Sequence, residues 1–483
     1  MPDELILDKT LINKPQAVAN ELNKHFVTKG PKLASKLPTL NKSVLSYMGR
    51  RNPSSMIFED ITVSEVINIV VKYFEDKLSS GHDNIPAMII KWCITHIAPI
   101  LTNIFNDCVN SGHYPKSLKI AKVTPLFKEG DTSVADNYRP ISVLPQIDKI
   151  FEKLIHERMV AFEKQHKFLK KTQFGFRKGH STSHGITHLN EQVIDKLEKK
   201  KVSALLFIDL KSAFDTVNID ILLKKLEHYG YRGKILNLLT SYLHDRKQFI
   251  ASGEITSCIL EVVTGVPQGS VLGPFLFIIY INDIDNCSSF DNSLFADDAA
   301  LLLSADHVKQ LKKVVKKEVQ LLHEWLITNK LTLNLTKTKY MLIANGNKLP
   351  SKIRKKFRIT IGNYTIHEVE KIKYLGVIMD RKLNWNHHGE YLLTKLSRAA
   401  GAICKVRNYL PMKARLLIYN ALVGSYLQYG IAAWSCCSGT MLDRLQTMQN
   451  KILRYITFST TDTNLDSYYQ SFKILKVKEL QFF

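Results

Sequence analysis

Two stretches decide how this chain is read: Leu205 to Val217, LLFIDLKSAFDTV, and Ser293 to Leu303, SLFADDAALLL. Each is a short apolar run broken by carboxylates. Asp209 follows Leu206-Phe207-Ile208, and Asp297-Asp298 stand between Leu294-Phe295-Ala296 and the run from Ala299 to Leu303. Apolar runs of this length bounded by polar residues read as buried strands. In the second stretch the spacing predicts a hairpin turning at Asp297-Asp298. Taken singly, these acids have plain structural roles as a strand-end cap and turn residues. Taken together they ask for more, because a desolvated carboxylate must be paired, protonated or bound to a cation. Two such strands side by side would gather three acids at one spot, where a divalent cation is the cheapest neutraliser. All-oxygen ligands favour Mg²⁺, which keeps several waters and takes its remaining ligands from phosphates. Two ions roughly 4 Å apart would clamp the attacking and leaving oxygens of an in-line phosphoryl displacement. Asp209, Asp297 and Asp298 are therefore the expected metal ligands and catalytic acids of a nucleotidyl transfer.

Between the two stretches lies Gly265-Val266-Pro267-Gln268-Gly269-Ser270-Val271-Leu272-Gly273-Pro274. The glycine spacing lets backbone approach a ligand closely. The outer stretches resemble motifs A and C of reverse transcriptases, and this middle one is similar to motif B of the non-LTR retrotransposon polymerases (LINE or jockey-like transposable elements). The resemblance is long and in family order. It implies an α+β fold shaped as a right hand, with fingers, thumb and an antiparallel palm sheet packed on helices. It also implies an RNA-directed DNA polymerase that uses two Mg²⁺ ions to extend a primer 3′-hydroxyl with deoxynucleoside triphosphates on an RNA template. Within motif A, Phe214 resembles the family's steric gate, a ring that would clash with a ribose 2′-hydroxyl. Within motif B, Gln268 would lie against the nascent base pair.

Composition agrees with a polyanionic partner. The 483 residues carry 67 Lys and Arg against 44 Asp and Glu, a net charge of +23, which favours nucleic acid first and an acidic membrane surface second. A hydrophobic content of 45% suits a folded globule rather than a disordered basic tail, and the length suggests two to four domains or subdomains. Seven scattered cysteines without a CxxC pair argue for a reducing compartment and against a zinc module or disulfide framework. The acidic N-terminus lacks the apolar core of a secretory signal. The most apolar window, Val271 to Ile281, is too short to span a bilayer. The expectation is an intracellular protein, cytoplasmic or nuclear, with no membrane partner; its oligomeric state is open.

Taken in order, residues 1–60 read as a leader and linker with one packing helix (Val18, Leu22, Phe26), residues 61–195 as fingers and pre-fingers, 196–383 as palm, and 384–483 as a helical thumb. Relatives in the family carry an endonuclease domain before such a leader and usually continue beyond such a thumb, so a separate source of target cleavage and a shortened thumb are expected. The turn Ser79-Ser80-Gly81-His82-Asp83-Asn84-Ile85-Pro86 is rich in loop-forming residues. Strands around Val123 to Phe127 and Tyr138 to Ser142 would bring Lys128 and Arg139 together, a pair suited to a triphosphate; in the family these positions lie in the fingers. Gln173 to Ser183 mixes aromatic, basic and hydroxyl groups able to grip a backbone and stack on bases. His180, His184 and His188 recur every four residues after it, but no acid completes a metal set. Asp215 reads as a helix cap. Lysines 309, 312, 313, 316 and 317 flank the apolar face of a helix, Lys337 sits in a segment that resembles motif D and could protonate departing pyrophosphate, and Lys339 is an equally cheap choice. Lys352 to Arg358, KIRKKFR, reads as a phosphate patch or a nuclear-import signal. Lys373 to Val377 resembles the hairpin that holds a primer end.

Two other classes fit parts of the pattern. A non-catalytic nucleic-acid-binding relic of a retrotransposon polymerase would keep fold and charge but lose an acid or a motif, and here every acid is present. A two-metal nuclease would use the acids but leave Phe214, Gln268 and the Lys128/Arg139 pair unexplained.

Overall fold

The computed structural model describes residues 1–7, 10–345, 349–350, 354 and 356–482. The chain separates into two compact units. The first comprises Met1–Phe176, Asp209–Ser289 and Glu318–Asn334; the second comprises Arg177–Ile208, Phe290–Lys317 and Leu335–Phe483.

The second unit is built on a six-stranded sheet in the order Ile359–Ile361, Tyr364–Glu368, Lys339–Ile343, Val202–Ile208, Asp298–Ala305, Asp291–Phe295. Neighbours run antiparallel except Lys339–Ile343 beside Tyr364–Glu368, which are parallel. Val202–Ile208 is central and buried at every residue. That two-sided burial is why its sequence reads as an unbroken apolar run rather than an alternation. One face receives the helix Thr182–Glu198, whose Ile186, Leu189 and Val193 pack on Leu205, Phe207, Leu302 and Met341. The Ser181 hydroxyl opens this helix by accepting from the His184 N–H. The same core extends into the helices Asn386–Val406 and Gly439–Thr457 through Leu392, Leu396, Leu445 and Ile452. A separate hairpin, Lys371–Tyr374 with Val377–Asp380, turns at Leu375-Gly376, as its sequence suggests. In the basic run, Lys352, Ile353 and Lys355 lie outside the described residues, and Arg354 is engaged with Glu368 and Glu370.

The first unit carries a second sheet: Tyr138–Val143, Ile120–Phe127, Arg246–Ser252 and Ile255–Thr256 in order, with Leu260–Val262 also on Arg246–Ser252. The N-terminal helix Pro15–Ala34 lies on it, closing a core of Val18, Leu22, Phe26, Val123, Tyr138 and Ile250. Asn23, fully buried in that interface, donates to the carbonyl of Cys258 and accepts from the Gln248 amide. The N-terminal segment is thus welded to the sheet by buried polar bonds as well as apolar contact. The helix Gly273–Ile281 is apolar all round and buried at every residue but Pro274, as a central helix must be. At its end the ammonium of Lys225 donates to Asp283 at 2.6 Å and to the Tyr280 carbonyl, with both charged side chains fully buried. Among the described residues the helix Ala87–Ser111 is long and apolar enough by length and composition to cross a membrane. Its Ile90, Ile94, Ala98, Leu101 and Phe105 are buried in the unit, where it packs on the helices Val63–Tyr73, Gln146–His166 and Lys234–Leu243.

Candidate active site

In the second unit, the strands Asp291–Phe295 and Asp298–Ala305 form a tight hairpin in which Phe295 faces Asp298. Its turn is Ala296-Asp297, one residue earlier than the sequence suggests, with Ala296 in the left-handed region (φ 55°). Asp298 therefore starts a strand instead of finishing a turn, and it points from an exposed position while Asp297 is half-buried. The strand Asp298–Ala305 then pairs with Val202–Ile208 in a register that sets Ala299 opposite Ile208. The residue after Asp298 thus faces the residue before Asp209. At the same end of the sheet, Lys339 pairs with Phe207, and Lys337 lies exposed in the turn just before that strand. Tyr374 is tied to this hairpin: its hydroxyl donates to the Ser293 carbonyl at 3.1 Å. Burial, aided by the Asp298 charge, pushes the phenol up.

In the first unit, Asp209 is half-buried, its carbonyl accepts from the Asn334 N–H at 2.8 Å, and Leu210 bridges Leu333. Phe214 stacks on Phe277 (4.7 Å between centroids, 19° between planes) and meets Phe176 edge-on at 6.0 Å. Its ring is held from two sides. Phe176, left-handed and half exposed, thus brings the Gln173 to Ser183 set against Phe214, whereas Gln173 is interior and its side chain accepts from the Gly175 N–H.

Asp215 is not the cap expected from sequence. The helix Ile219–Tyr229 is capped by Asn218, and the Asp215 carboxylate accepts from the Gln268 amide at 2.6 Å. Burial pushes the Asp215 carboxyl above its ordinary range, against the Gln268 hydrogen bond and the positive charges of Lys29, Lys128 and Arg139. The residue therefore marks where the basic groups converge. Arg139 lies on the strand Tyr138–Val143 and Lys128 directly follows the antiparallel strand Ile120–Phe127, in which Leu126 faces Arg139. Lys128, two residues past Leu126, falls on the same face as Arg139. Both are exposed.

Motif B is locked onto this group. The amides of Gly265 and Val266 donate to the carbonyls of Val217 and Phe214, the Thr264 hydroxyl donates to the Asp215 carbonyl, and the Ser142 N–H donates to the Gln268 carbonyl at 2.7 Å. Gly269 is required by contact: a Cβ there would lie 2.4 Å from the Ser142 oxygen, and its φ of +123° disfavours any other residue. Gly30 plays the same part from the N-terminal helix, where a Cβ would lie 2.3 Å from the Asp215 oxygen. Sequence reading missed Lys29, Gly30 and Ser142 because their partners are more than a hundred residues away. A glycine inside a helical pattern was the one available signal, since such a residue costs about 1 kcal/mol relative to alanine and usually has a packing reason.

Comparison with known proteins bears on both units. Over 463 residues, covering 93% of this chain and 49% of the relative, the sequence is 26% identical to the "RNA-directed DNA polymerase from mobile element jockey" of Drosophila melanogaster. It is 28% identical over 405 residues, 81% of this chain and 43% of the relative, to the "Probable RNA-directed DNA polymerase from transposon X-element" of the same species. The chain spans about half the length of the curated relatives it matches. The family model described as reverse transcriptase (RNA-dependent DNA polymerase) matches residues 126–379, more than half of the sequence, and the chain belongs to that family.

Proposed function

We propose that the chain is the catalytic part of an RNA-directed DNA polymerase of a non-LTR retrotransposon, adding deoxynucleotides to a primer 3′-hydroxyl on an RNA template. The observation that carries this reading is the register of Ala299 opposite Ile208. Asp209 follows Ile208 in the chain and Asp298 precedes Ala299, and this reading takes the acids, far apart in sequence, as serving one site. In this reading the six-stranded sheet is the palm, the sheet bearing Lys128 and Arg139 belongs to the fingers, and the helices from Asn386 onward form the thumb.

The donor set suits magnesium: three carboxylates, half-buried or exposed and so open to waters and phosphate oxygens as further ligands. Asp209, Asp297 and Asp298 would hold two ions, and bound magnesium would supply a more acidic primer hydroxyl and charge neutralisation of the phosphates. The protein's own groups do the rest. Lys128 and Arg139 draw the triphosphate to their shared face, while Lys29, paired with Asp136 at 2.7 Å, adds positive charge near Asp215. Phe214, immobilised between Phe277 and Phe176, walls off the space a 2′-hydroxyl would need. Gln268, oriented by Asp215, faces the forming base pair. Lys337 would give a proton to leaving pyrophosphate. The intact acid triad favours turnover over a binding relic.

Extension of a DNA primer annealed to RNA, with and without Mg²⁺, tests the reading. Magnesium-dependent extension is expected, and none under any divalent ion would overturn it. Substituting Phe214→Val should admit ribonucleotides; an unchanged sugar preference would remove the gate.

A further inference from the structure

The segment from Tyr138 to Glu152 is one continuous arm: the strand Tyr138–Val143, the elbow Leu144-Pro145, and the first turns of the helix Gln146–His166. Three groups along it face the proposed nucleotide-handling machinery. Arg139 lies at its start, and Ser142 holds the Gln268 backbone at 2.7 Å. Farther on, the fully buried carboxylate of Glu152 accepts from the Val271 N–H at 2.5 Å and from the Tyr242 hydroxyl at 2.5 Å. Val271 is three residues beyond Gln268 and directly before Leu272, the N-cap of the helix Gly273–Ile281, so Glu152 fixes the loop where it enters that helix. Burial raises the carboxyl, and the amides of Val271 and Leu272, with Arg246, favour its charged form.

The elbow is braced as well. The Gln146 amide donates to the Ser79 carbonyl at 3.0 Å. Gly81 sits so close that a Cβ would lie 2.6 Å from the Pro145 nitrogen. The turn Ser79 to Pro86 thus backs the joint between strand and helix. The motif B loop is therefore pinned at Asp215 on one side and at two points of this arm on the other.

We propose that Glu152 is a positioning residue for base-pair selection, holding the motif B loop through Val271 so that Gln268 is aligned with the nucleotide engaged by Arg139 on the same arm. Resting on the role given to Gln268, this adds a residue that neither the motifs nor their spacing indicate. The arm makes triphosphate contact and base-pair contact parts of one rigid body, so loosening one end degrades both.

The test is single-nucleotide incorporation by the full chain on an RNA/DNA primer-template, with KM and kcat measured for matched and mismatched nucleotides. Replacing Glu152→Ala should raise the matched-nucleotide KM roughly tenfold, the scale of a lost charge-assisted bond, and reduce mismatch discrimination with RNA affinity unchanged. Glu152→Gln keeps an acceptor oxygen for Val271 and an amide that can donate to Tyr242, and should restore KM to within about twofold without the charge. Tyr242→Phe, which removes one of the two bonds, should fall between them and guards against a misfolded alanine variant. Loss of Tm and kcat in Glu152→Ala or Tyr242→Phe with KM unmoved would make the residue structural only and overturn the proposal. The double variant Glu152→Ala/Gln268→Ala should be no worse than Gln268→Ala alone, as expected of groups acting in series; additive losses would overturn the link to Gln268. Gln268→Ala with normal KM and discrimination would instead defeat the role of Gln268 itself.

Discussion

The two units place their functional groups by opposite means. In the second, Asp297 and Asp298 are set by a two-residue turn between strands whose neighbours are almost wholly apolar, with Ala300, Leu301 and Leu302 buried behind them. In the first, Asp215 and the motif B loop are set by side chains and carbonyls from separate segments: Gln268 lies 53 residues from Asp215, while Ser142 and Gly30, on the N-terminal helix, lie more than a hundred residues from the groups they hold. A strand in a packed sheet needs only local alternation and register to aim its end residue. A polar loop needs each donor and acceptor matched individually, because a buried unpaired group costs roughly 1–3 kcal/mol.

The largest effect expected from this contrast is on the sheet side. Asp297 is a half-buried turn carboxylate, and under the metal-holding role proposed for it Asp297→Asn should lower primer extension at least about a thousandfold, on the scale of losing a key electrostatic group, while Tm and RNA affinity stay near those of the parent. A large fall in Tm would show that the acid is part of the packing and erase the distinction. On the other side the interior itself is charged. Lys225→Ala would strand the Asp283 carboxylate with neither side chain accessible to water. Breaking a buried pair in this way costs about 3–5 kcal/mol, measurable by denaturant unfolding of the whole chain.

The same contrast explains what could be read without coordinates. The central strand, the motif B helix, the helices after Trp385 and the basic hairpin were all legible, because each is coded by apolar period or by a local turn. The turn at Asp297 was misplaced by one residue, since Ala296 gives no sign that it will adopt a left-handed backbone. Asp215 looked like a cap because caps are the commonest use of an acid before a helix; its amide partner lies 53 residues on. Lys29, Ser142 and Glu152 sit in segments whose local patterns are ordinary, and only tertiary pairing gives them their roles. The carboxylate pattern pointed to the three acids and the family resemblance to Phe214 and Gln268, but neither pointed to these supporting groups.

Gly269→Ala sharpens the comparison at smaller scale. The added methyl would press on the Ser142 oxygen at 2.4 Å and hold φ in an unfavourable region. A cost of about 2 kcal/mol is expected for such strain, accompanied by a raised nucleotide KM. A stability loss without a KM change would mean that the loop is free to relax and that its pinning is incidental.

The most gradual effect concerns protons. Asp148, fully buried, accepts from the Tyr114 hydroxyl at 2.5 Å. Burial and the neighbouring Glu152 charge push its carboxyl well above the ordinary range. The folded chain then keeps a proton that the unfolded chain releases near pH 4. Between that pH and the raised folded value, the native state binds more protons, so this group's contribution to stability falls as pH rises, by up to about 1.4 kcal/mol per pH unit. It is fully present below the unfolded pKa and gone above the folded one. Asp148→Asn removes the titrating group while keeping an acceptor for Tyr114. Subtracting its unfolding free energy from that of the parent across pH 4 to 9 should therefore leave a difference that favours the parent at the acid end and declines steadily. A flat difference would mean that the polar interior of the first unit carries a settled charge there, paired by Arg246, and that its loops are held by ion pairing where the neutral hydrogen bonds were expected to suffice.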